Sequence, residues 1–258
     1  MIVISPAKRL AERVNDHSLA PTTPHFKKEA NQLAKELALM SSQELASMMH
    51  VSEGIAELNS NRFKNWNKDT GTEKRAIFQF EGDVFKHLNA AQFDDKQINY
   101  MNKNLIILSG IYGLLKPSDE MNPYRLEMGT KHNFNGSKNL YEFWGDKIAK
   151  KINEELGDSL LFNLASEEYF SAVSKYIDAK NTINFRFLSS SGGKERVVGV
   201  IAKRARGEMA RFLIENEIQT TKGIEKFSSM GFKFRDFSNN CFTSVSYTHL
   251  TLPTMELV

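Results

Sequence analysis

Short apolar runs rich in β-branched residues interrupt segments of helical periodicity along this 258-residue chain. The runs MIVI, LIIL, LLFNLAS and TINFRFL are typical of buried strands, whereas the apolar residues between 26 and 40 recur at helical spacing. Strands and helices do not alternate strictly, and no internal repeat or low-complexity tract is present. The pattern predicts an α+β (mixed α/β) fold, a single domain with an irregular mixed sheet and surrounding helices.

The same pattern predicts where individual elements lie. Strands are expected over residues 1–4, 105–108, 160–166, 182–188 and 196–202, with a hairpin turn at 189–194. Helices are expected over 26–40, over about 42–49 behind a Ser41 or Ser42 cap, and over 53–66, 73–89, 140–156 and 203–217.

Composition is that of a globular protein. Hydrophobic residues make up 41% and charged residues 25%, enough to bury a sizeable core in one large domain. No apolar run approaches the roughly 20 residues of a membrane span, and MIVISPAKRL lacks the pattern of a signal peptide. Cys241 is the only cysteine, so no intrachain disulfide can form. We therefore expect a cytoplasmic protein without membrane association, acting as a monomer.

Positive charge is concentrated in the segment KRARGEMAR and its flanks. Residues 194–211 carry six Lys or Arg and two Glu, a local +4, so the other residues sum to about −1 in a chain of net +3. Lys203, Arg204 and Arg206 are predicted in the first turns of a helix, where free N–H groups and the helix dipole disfavour cations. This predicts a bound anion; the alternative is a solvated helix end whose charges pair with acids elsewhere.

Polar side chains follow several of the expected strands. Ser5 and Lys8 follow the first, Asn163 and Ser166 belong to a later strand end, and the segment LSGIYGLLKPSDEMNPYRLEMG carries Lys116, Tyr124, Arg125 and Glu127. Loops at the carboxyl ends of strands are common ligand sites. We expect these ends to share a cleft for a phosphorylated or nucleotide-like ligand. The alternative is a packed loop with an internal Arg125–Glu127 network.

The segment LASMMHVSEGIAELNSNRF is similar to a helix-hairpin-helix element, placed at about 42–66. Val51 and Ser52 lie in the hairpin, and Ala56 stands four positions after Ser52, where such elements carry a small residue. Exposed N–H groups at the start of the second helix would contact a nucleic-acid backbone without reading its sequence. Both hairpin glycines are replaced, so an ordinary helix pair is the alternative.

Several familiar signatures are absent from the sequence. No GxSxG, Walker A or GxGxxG pattern occurs, and Cys241 has no evident activating partner. None of the six histidines belongs to an HxxxH pattern or lies near a CxxC pattern, so neither a metal site nor a cofactor is expected. The histidines are His17, His25, His50, His87, His132 and His249.

Seven motifs occur in order: ISPAK, MHVSEGIAELN…RF, FEGDVF, LSGIYGLLKP…PYRLEMG, LYEFWGD, NLASEEYF and AKRARGEMARFLIEN. Together they resemble the YaaA family of bacterial peroxide-stress resistance proteins over residues 1–237. The resemblance implies a cytoplasmic DNA-binding protein with an unusual mixed α/β fold, a helix-hairpin-helix element and a positively charged cleft. It also implies a role in limiting free intracellular iron during hydrogen peroxide stress.

The chain departs from the family pattern at two places. In FEGDVFKHL, Phe85 stands where the family usually has Tyr and His87 where Gly is common, so a role for that Tyr hydroxyl is not available to this chain. Residues 238–258 form an atypical C-terminal tail, such as a frameshift or read-through would produce, and the YaaA-like domain is placed at 1–237.

The leading hypothesis is a DNA-binding protein that protects against hydrogen peroxide and helps to limit free iron, with sequence-tolerant contacts to duplex, distorted or junction DNA. The predicted phosphate-binding residues are Ser5, Lys8, Val51, Ser52, Lys116, Arg125, Asn163, Lys203, Arg204, Arg206 and Arg211.

The alternative is an enzyme acting on a nucleotide or nucleobase in the same cleft. Its candidate catalytic groups are Tyr124, Arg125, Glu127 and Ser166, with Glu127 as general acid or base if partly buried. An enclosed pocket with converging polar groups favours the enzyme, and an open basic groove favours DNA.

Overall fold

A mixed β-sheet forms the core of the computed structural model, which describes residues 1–11, 19–66, 68 and 74–247. The strands in this part are β1 Ile2–Ile4, β2 Arg9–Leu10, β3 Lys74–Arg75, β4 Phe80–Glu81, β5 Leu105–Ser109, β6 Gly113–Leu115, β7 Glu120–Met121, β8 Leu161–Leu164, β9 Thr182–Ser191, β10 Lys194–Arg196, β11 Phe232–Ser238 and β12 Cys241–Tyr247. The α-helices are α1 Lys27–Ala38, α2 Ser42–Met49, α3 Glu53–Lys64, α4 Ala76–Gln79, α5 Asp83–Leu88, α6 Asp95–Asn104, α7 Leu140–Trp144, α8 Lys147–Leu156, α9 Glu167–Phe170 and α10 Gly199–Glu215.

The main sheet has eight strands in the order β11–β12–β9–β8–β1–β5–β6, with β10 paired to β9. Strands β12, β9, β8, β1 and β5 run parallel, while β6, β10 and β11 are antiparallel to their neighbours. All three residues of β1 are buried, as expected for a central parallel strand covered on both faces. The structure confirms the predicted α+β fold with a mixed sheet.

Helices pack against the sheet and against one another. Helix α10 contacts β8, β9, α5 and α6, whereas α3 packs on both α1 and α2. Helix α1 buries Ala30, Leu33, Ala34 and Leu37, which confirms the stripe expected from the sequence. Ser41 caps α2 and forms a capping box with Glu44.

Helices α2 and α3 are joined by a three-residue link. His50 ends α2 in the left-handed conformation, with φ of 51°, and Ser52 is the N-cap residue of α3. The N–H of Val51 donates to the carbonyl of Ala46, 3.1 Å away, so this hairpin amide is already satisfied within the helix pair.

Several predicted element boundaries are wrong. The helix expected over 73–89 is broken into β3, α4, β4 and α5, with Glu73 outside the described residues, and the helix expected over 140–156 breaks at Gly145, where φ is 50°. Helix α6 was not predicted. The strand expected over 196–202 is also wrong: β10 ends at Arg196 and α10 begins at Gly199.

The C-terminal segment contributes to the sheet as far as it is described. Residues 241–247 form β12, which lies parallel to β9 and antiparallel to β11. The rest of the predicted atypical tail, 248–258 with His249, lies outside the described residues, as does His17. Among the helices of the described part, none is both long and apolar enough to cross a membrane.

Candidate functional site

A pocket of about 410 Å³ lies beyond the carboxyl ends of β1 and β8. Because these two strands are parallel neighbours, their ends meet at one edge of the sheet, where polar loops converge. Its walls come from residues 5–9, 81–85, 124–127, 164–169 and α10. The pocket brings together eight of the predicted site residues, namely Ser5, Lys8, Tyr124, Arg125, Glu127, Ser166, Lys203 and Arg206.

The two strand ends are tied together by their serines. The backbone N–H of Ser166 donates to Ser5 Oγ at 2.8 Å, and the Ser5 hydroxyl donates to Ser166 Oγ at 3.1 Å. Ser5 and Ser166 therefore form one rigid part of the pocket floor. A ligand that hydrogen-bonded to either hydroxyl would have to share it with this pair.

Glycines allow the pocket walls to approach closely. A Cβ on Gly110 would overlap the carbonyl oxygen of Leu126, and a Cβ on Gly207 would overlap that of Val84. A Cβ on Gly82 would lie 3.0 Å from the Cβ of Ala7. These contacts bring the segment with Arg125 and Glu127, the start of α5 and the middle of α10 to fixed positions around the pocket.

Most of the pocket's carboxylates are already engaged by cations. Glu127 binds Lys8 at 2.6 Å and Arg125 at 3.1 Å. Asp83 accepts a hydrogen bond from Arg204 at 3.3 Å, and Glu81 lies 3.2 Å from the Arg9 guanidinium. The fourth, Glu168, accepts the N–H of Gly129 at 2.9 Å. The five cationic lining residues therefore face four acidic ones, and the pocket carries mixed charge.

Lys203 and Arg206 differ from the other lining cations. Within the described residues neither has an ion pair or a hydrogen-bonded side-chain partner, although Arg206 is half-buried. Desolvation by this burial lowers the pKa of the Arg206 guanidinium below its ordinary value. Arg125 adds a buried Nε donor that also has no acceptor. Buried donors of this kind are costly unless an acceptor meets them, so the wall is suited to an anionic or oxygen-rich ligand.

Aromatic side chains complete the lining. Tyr124 is 4% exposed, and its hydroxyl lies 2.6 Å from Ser109 Oγ at the end of β5. Desolvation raises the pKa of Tyr124 and raises that of Tyr169 well above its ordinary range, so both rings stay neutral. Phe85 also lines the pocket and packs on Phe80, with 5.3 Å between ring centroids.

The remaining predicted site residues lie elsewhere. The Lys116 ammonium pairs with Glu155 at 3.1 Å. The Asn163 side chain donates to Asn184 at 2.9 Å and accepts the N–H of Ala165 at 3.1 Å. Arg211 pairs with Glu215 at 2.7 Å and donates to the carbonyls of Leu88 and Asn89. All three side chains make contacts within the fold, and none of them lines the pocket.

The predicted placement of cations at a helix start is also wrong. Because α10 begins at Gly199, Lys203, Arg204 and Arg206 lie in its second and third turns, beyond the free N–H groups. Arg204 pairs with Asp83 as the alternative reading expected. Lys203 and Arg206 reach the pocket because they are three residues apart and share one face of the helix.

Val51 and Ser52 are not among the residues that line the pocket. Residues 42–61, which span α2 and most of α3, contain Glu44, Glu53 and Glu57 but no Lys or Arg. The hairpin surface is therefore acidic, which is unfavourable for a DNA backbone. Its geometry is that of a tight helix pair.

Sequence reasoning missed several lining residues. Arg9, Glu81, Asp83 and Glu168 were not predicted, although FEGDVF and NLASEEYF were recognised as motifs. Both motifs are rich in acidic residues, and this was the sequence feature that could have indicated these lining residues. As far as the chain is described, no group of three or more His, Cys, Asp or Glu residues could hold a metal ion.

Fold and pocket together define an α+β protein with a bounded, mixed-charge pocket at the carboxyl ends of its parallel strands. Comparison with known proteins identifies the family. The chain belongs to the peroxide stress protein YaaA family, whose sequence model matches residues 1–237. This confirms the resemblance noted in the sequence.

Curated relatives cover nearly the whole chain. A UPF0246 protein of Clostridium botulinum (strain Alaska E43 / Type E3) is 41% identical over 247 residues, 93% of this chain and 96% of its own. A UPF0246 protein of Aliivibrio fischeri (strain MJ11) is 40% identical over 250 residues, 95% and 96% of the two chains. A UPF0246 protein of Caulobacter sp. (strain K31) is 39% identical over 238 residues, which cover 91% of this chain and 93% of its own.

Proposed function

We propose that this member of the peroxide stress family acts by binding DNA in the cytoplasm as a monomer, with a backbone phosphate held in the pocket by Lys203 and Arg206. The proposal includes a contribution to limiting free intracellular iron during peroxide stress. Binding of this kind is tolerant of DNA sequence, because phosphates are common to every sequence.

The unpaired Arg206 guanidinium carries this proposal. It is half-buried on the pocket wall, its pKa is lowered by desolvation, and no carboxylate among the described residues compensates its charge. A phosphate would supply that compensation through charge-assisted hydrogen bonds, which a planar guanidinium can make in pairs. Lys203, on the same face of α10, would add a second positive charge to the same group.

Duplex-binding measurements at several salt concentrations test the proposal. Replacing both cations, as in K203Q/R206Q, should weaken binding about tenfold or more and flatten the dependence of log K on log salt by about 2. The matched control is K175Q/K180Q, which removes two exposed lysines that lie outside the pocket. Equal binding by the pocket variant and the control would refute the proposal.

The iron component needs a cellular measurement. Chelatable iron after a peroxide challenge should be higher in cells that carry K203Q/R206Q than in cells with the unaltered protein. Equal iron levels, with DNA binding lost in the variant, would separate the two activities and remove iron limitation from the proposal.

A second candidate is an enzyme acting on a nucleotide or nucleobase. The observation that favours it is the shape of the site: a bounded cavity of about 410 Å³, lined by Tyr124, Tyr169 and Phe85, is of a size that holds a small ligand. In this reading Glu127 is the reacting carboxylate, and Arg125 and Ser166 bind the substrate.

The variant E127Q separates the two functions. It removes a negative charge from the pocket and releases Lys8 and Arg125, so phosphate or DNA binding should strengthen. An enzyme that uses this carboxylate would instead lose turnover of its nucleotide substrate by about a hundredfold or more. Tighter DNA binding with unchanged turnover of any substrate found would rule out the catalytic role of Glu127.

A further inference from the structure

A second concave surface lies between α1 and the end of α3. This lysine groove has a volume of about 620 Å³ and is lined by Lys28, Asn31, Gln32, Lys35, Ala38, Phe63, Lys64, Trp66 and Lys68. The residues from α1 recur at positions 28, 32 and 35, which places them on one face of that helix. Neither the predicted site nor the pocket at the strand ends includes any of them.

The described lining residues carry charge of one sign. Four of them are lysines, and none of those that the structure describes is acidic. Lys28, Lys35 and Lys64 are exposed and have no ion pair within the described residues, while Lys68 donates to Asn65 at 2.9 Å. The acids of α1 point to other partners: Glu29 pairs with Lys147 at 3.6 Å, and Glu36 lies 3.7 Å from His132.

The floor of the groove is rigid. Trp66 is 5% exposed, and its indole N–H donates to Asn31 at 2.9 Å, which joins the end of α3 to α1. Phe63 packs beside it with 6.2 Å between ring centroids. The lysines are thus flexible point charges around a fixed concave base. Such an arrangement can contact the phosphates of a nucleic acid whatever its base sequence.

We infer that the lysine groove binds the sugar–phosphate backbone of a nucleic-acid duplex, at a surface separate from the pocket. The inference rests on the proposed DNA binding for its ligand class and on the groove's own charge for its location. Exposed lysines with no carboxylate among the described lining residues attract a dense line of phosphates, whereas the pocket's five cations face four acids. The groove supplies the larger share of the salt-dependent affinity.

The choice of a duplex over other polyanions follows from the lining. Insertion into the acyl region of a membrane needs exposed apolar side chains in the lining, and the two aromatic lining residues, Phe63 and Trp66, are buried in the floor. An acidic peptide would be held by guanidinium forks and apolar anchor pockets, and the groove offers ammonium groups and the amides of Asn31 and Gln32 instead. These groups suit phosphate and sugar oxygens.

The groove and the pocket are structurally close. The buried ring of Tyr112 contacts Trp66 on one side, at 5.6 Å between centroids, and Tyr124 on the other, at 5.7 Å. One aromatic ring therefore separates the floor of the groove from the wall of the pocket.

The test measures binding of a short DNA duplex of random sequence to the full chain between low and moderate salt. The groove variant K28Q/K35Q/K64Q should weaken binding about tenfold or more and flatten the slope of log K against log salt by about 2 to 3. Its matched control is K175Q/K180Q/K226Q, three exposed lysines with no ion pair in the described part of the chain. The control should stay within about twofold of the unaltered protein.

Each outcome decides between the surfaces. If the groove variant binds the duplex as the control does, the inference is overturned, whatever K203Q/R206Q does. If the groove variant loses binding while K203Q/R206Q keeps it, the groove is supported and the pocket proposal fails. Vesicles containing phosphatidylserine serve as the competing ligand, and groove-dependent binding to them with no binding to the duplex would overturn the inference.

Discussion

Arg206 is the residue on which the proposed anion site depends. A half-buried guanidinium without a carboxylate partner lowers stability, because the cost of removing it from water is not offset. Arg211, one helical turn further along α10, shows the contrasting arrangement: it contacts Glu215, two backbone carbonyls and the ring of Phe93. The two arginines therefore have opposite expected effects on folding.

Replacing Arg206 by a neutral residue of similar length should stabilise the fold while it weakens anion binding. We expect Arg206→Met to raise the free energy of unfolding by about 1 kcal/mol, since an uncompensated charge is removed. Arg211→Met should lower it by about 1 to 3 kcal/mol, since two carbonyls lose a charged donor. Urea unfolding of the two variants measures both effects. A destabilised Arg206→Met would show that Arg206 is structural.

At the scale of elements, the contact between α10 and α5 sets the width of the pocket. Gly207 lies against the carbonyl of Val84, the Cβ of His87 and the backbone of Leu88, so the two helices approach closely because α10 has no side chain at this position. Lys203 and Arg206 are carried on α10, and Asp83 and Phe85 on α5, so both walls move if this contact opens. His87 Nδ1 of α5 and Glu208 Oε1 of α10 lie 2.7 Å apart and link the same two helices.

A methyl group at Gly207 should therefore separate the walls. Gly207→Ala is expected to destabilise the protein by about 1 to 3 kcal/mol and to weaken phosphate binding, because backbone atoms must shift to admit the Cβ. Gly199→Ala is the control on the same helix, since nothing lies within 4 Å of a Cβ there. Thermal unfolding and phosphate titration compare the two variants, and equal behaviour would contradict the packing argument.

Across the whole molecule, stability should be highest at the centre of the sheet. Strand β1 pairs in parallel with both β5 and β8, and the three strands bury nearly every residue. Strand β10 is exposed throughout, and β11 at the edge of the sheet is largely exposed. The pocket lies where the stable strands end, so its floor is rigid.

Hydrogen exchange under native conditions tests this distribution. The amides of β1, β5 and β8 should exchange only through global unfolding, whereas those of β10 and β11 should exchange through local opening, orders of magnitude faster. Mass spectrometry of peptides that cover each strand gives the comparison. Uniform protection across the sheet would show that the edge strands unfold with the core.

Prediction from the sequence succeeded where local periodicity and burial agree. The stripe of α1, the Ser41 cap, β1 and β5 were all recognisable, because their side-chain spacing reports directly on which face is buried. It failed at the VVGVIA run, which is apolar and β-branched but starts α10, because packing on α5 and β9 outweighs propensity. It also failed at 73–89, where Gly82 packs on Ala7 and divides the helix.

By itself, the sequence determined the α+β class and the family, because the spacing of apolar residues and the order of motifs can be read along the chain. Only the tertiary structure decided which cationic side chains have no carboxylate partner among the described residues. Lys116 and Arg204 meet carboxylates distant in sequence, whereas Lys203 and Arg206 meet none among the described residues. The lysines of α1 and α3 line one groove only after those helices pack. The electrostatic role of a side chain depends on its spatial neighbours, which local spacing does not encode.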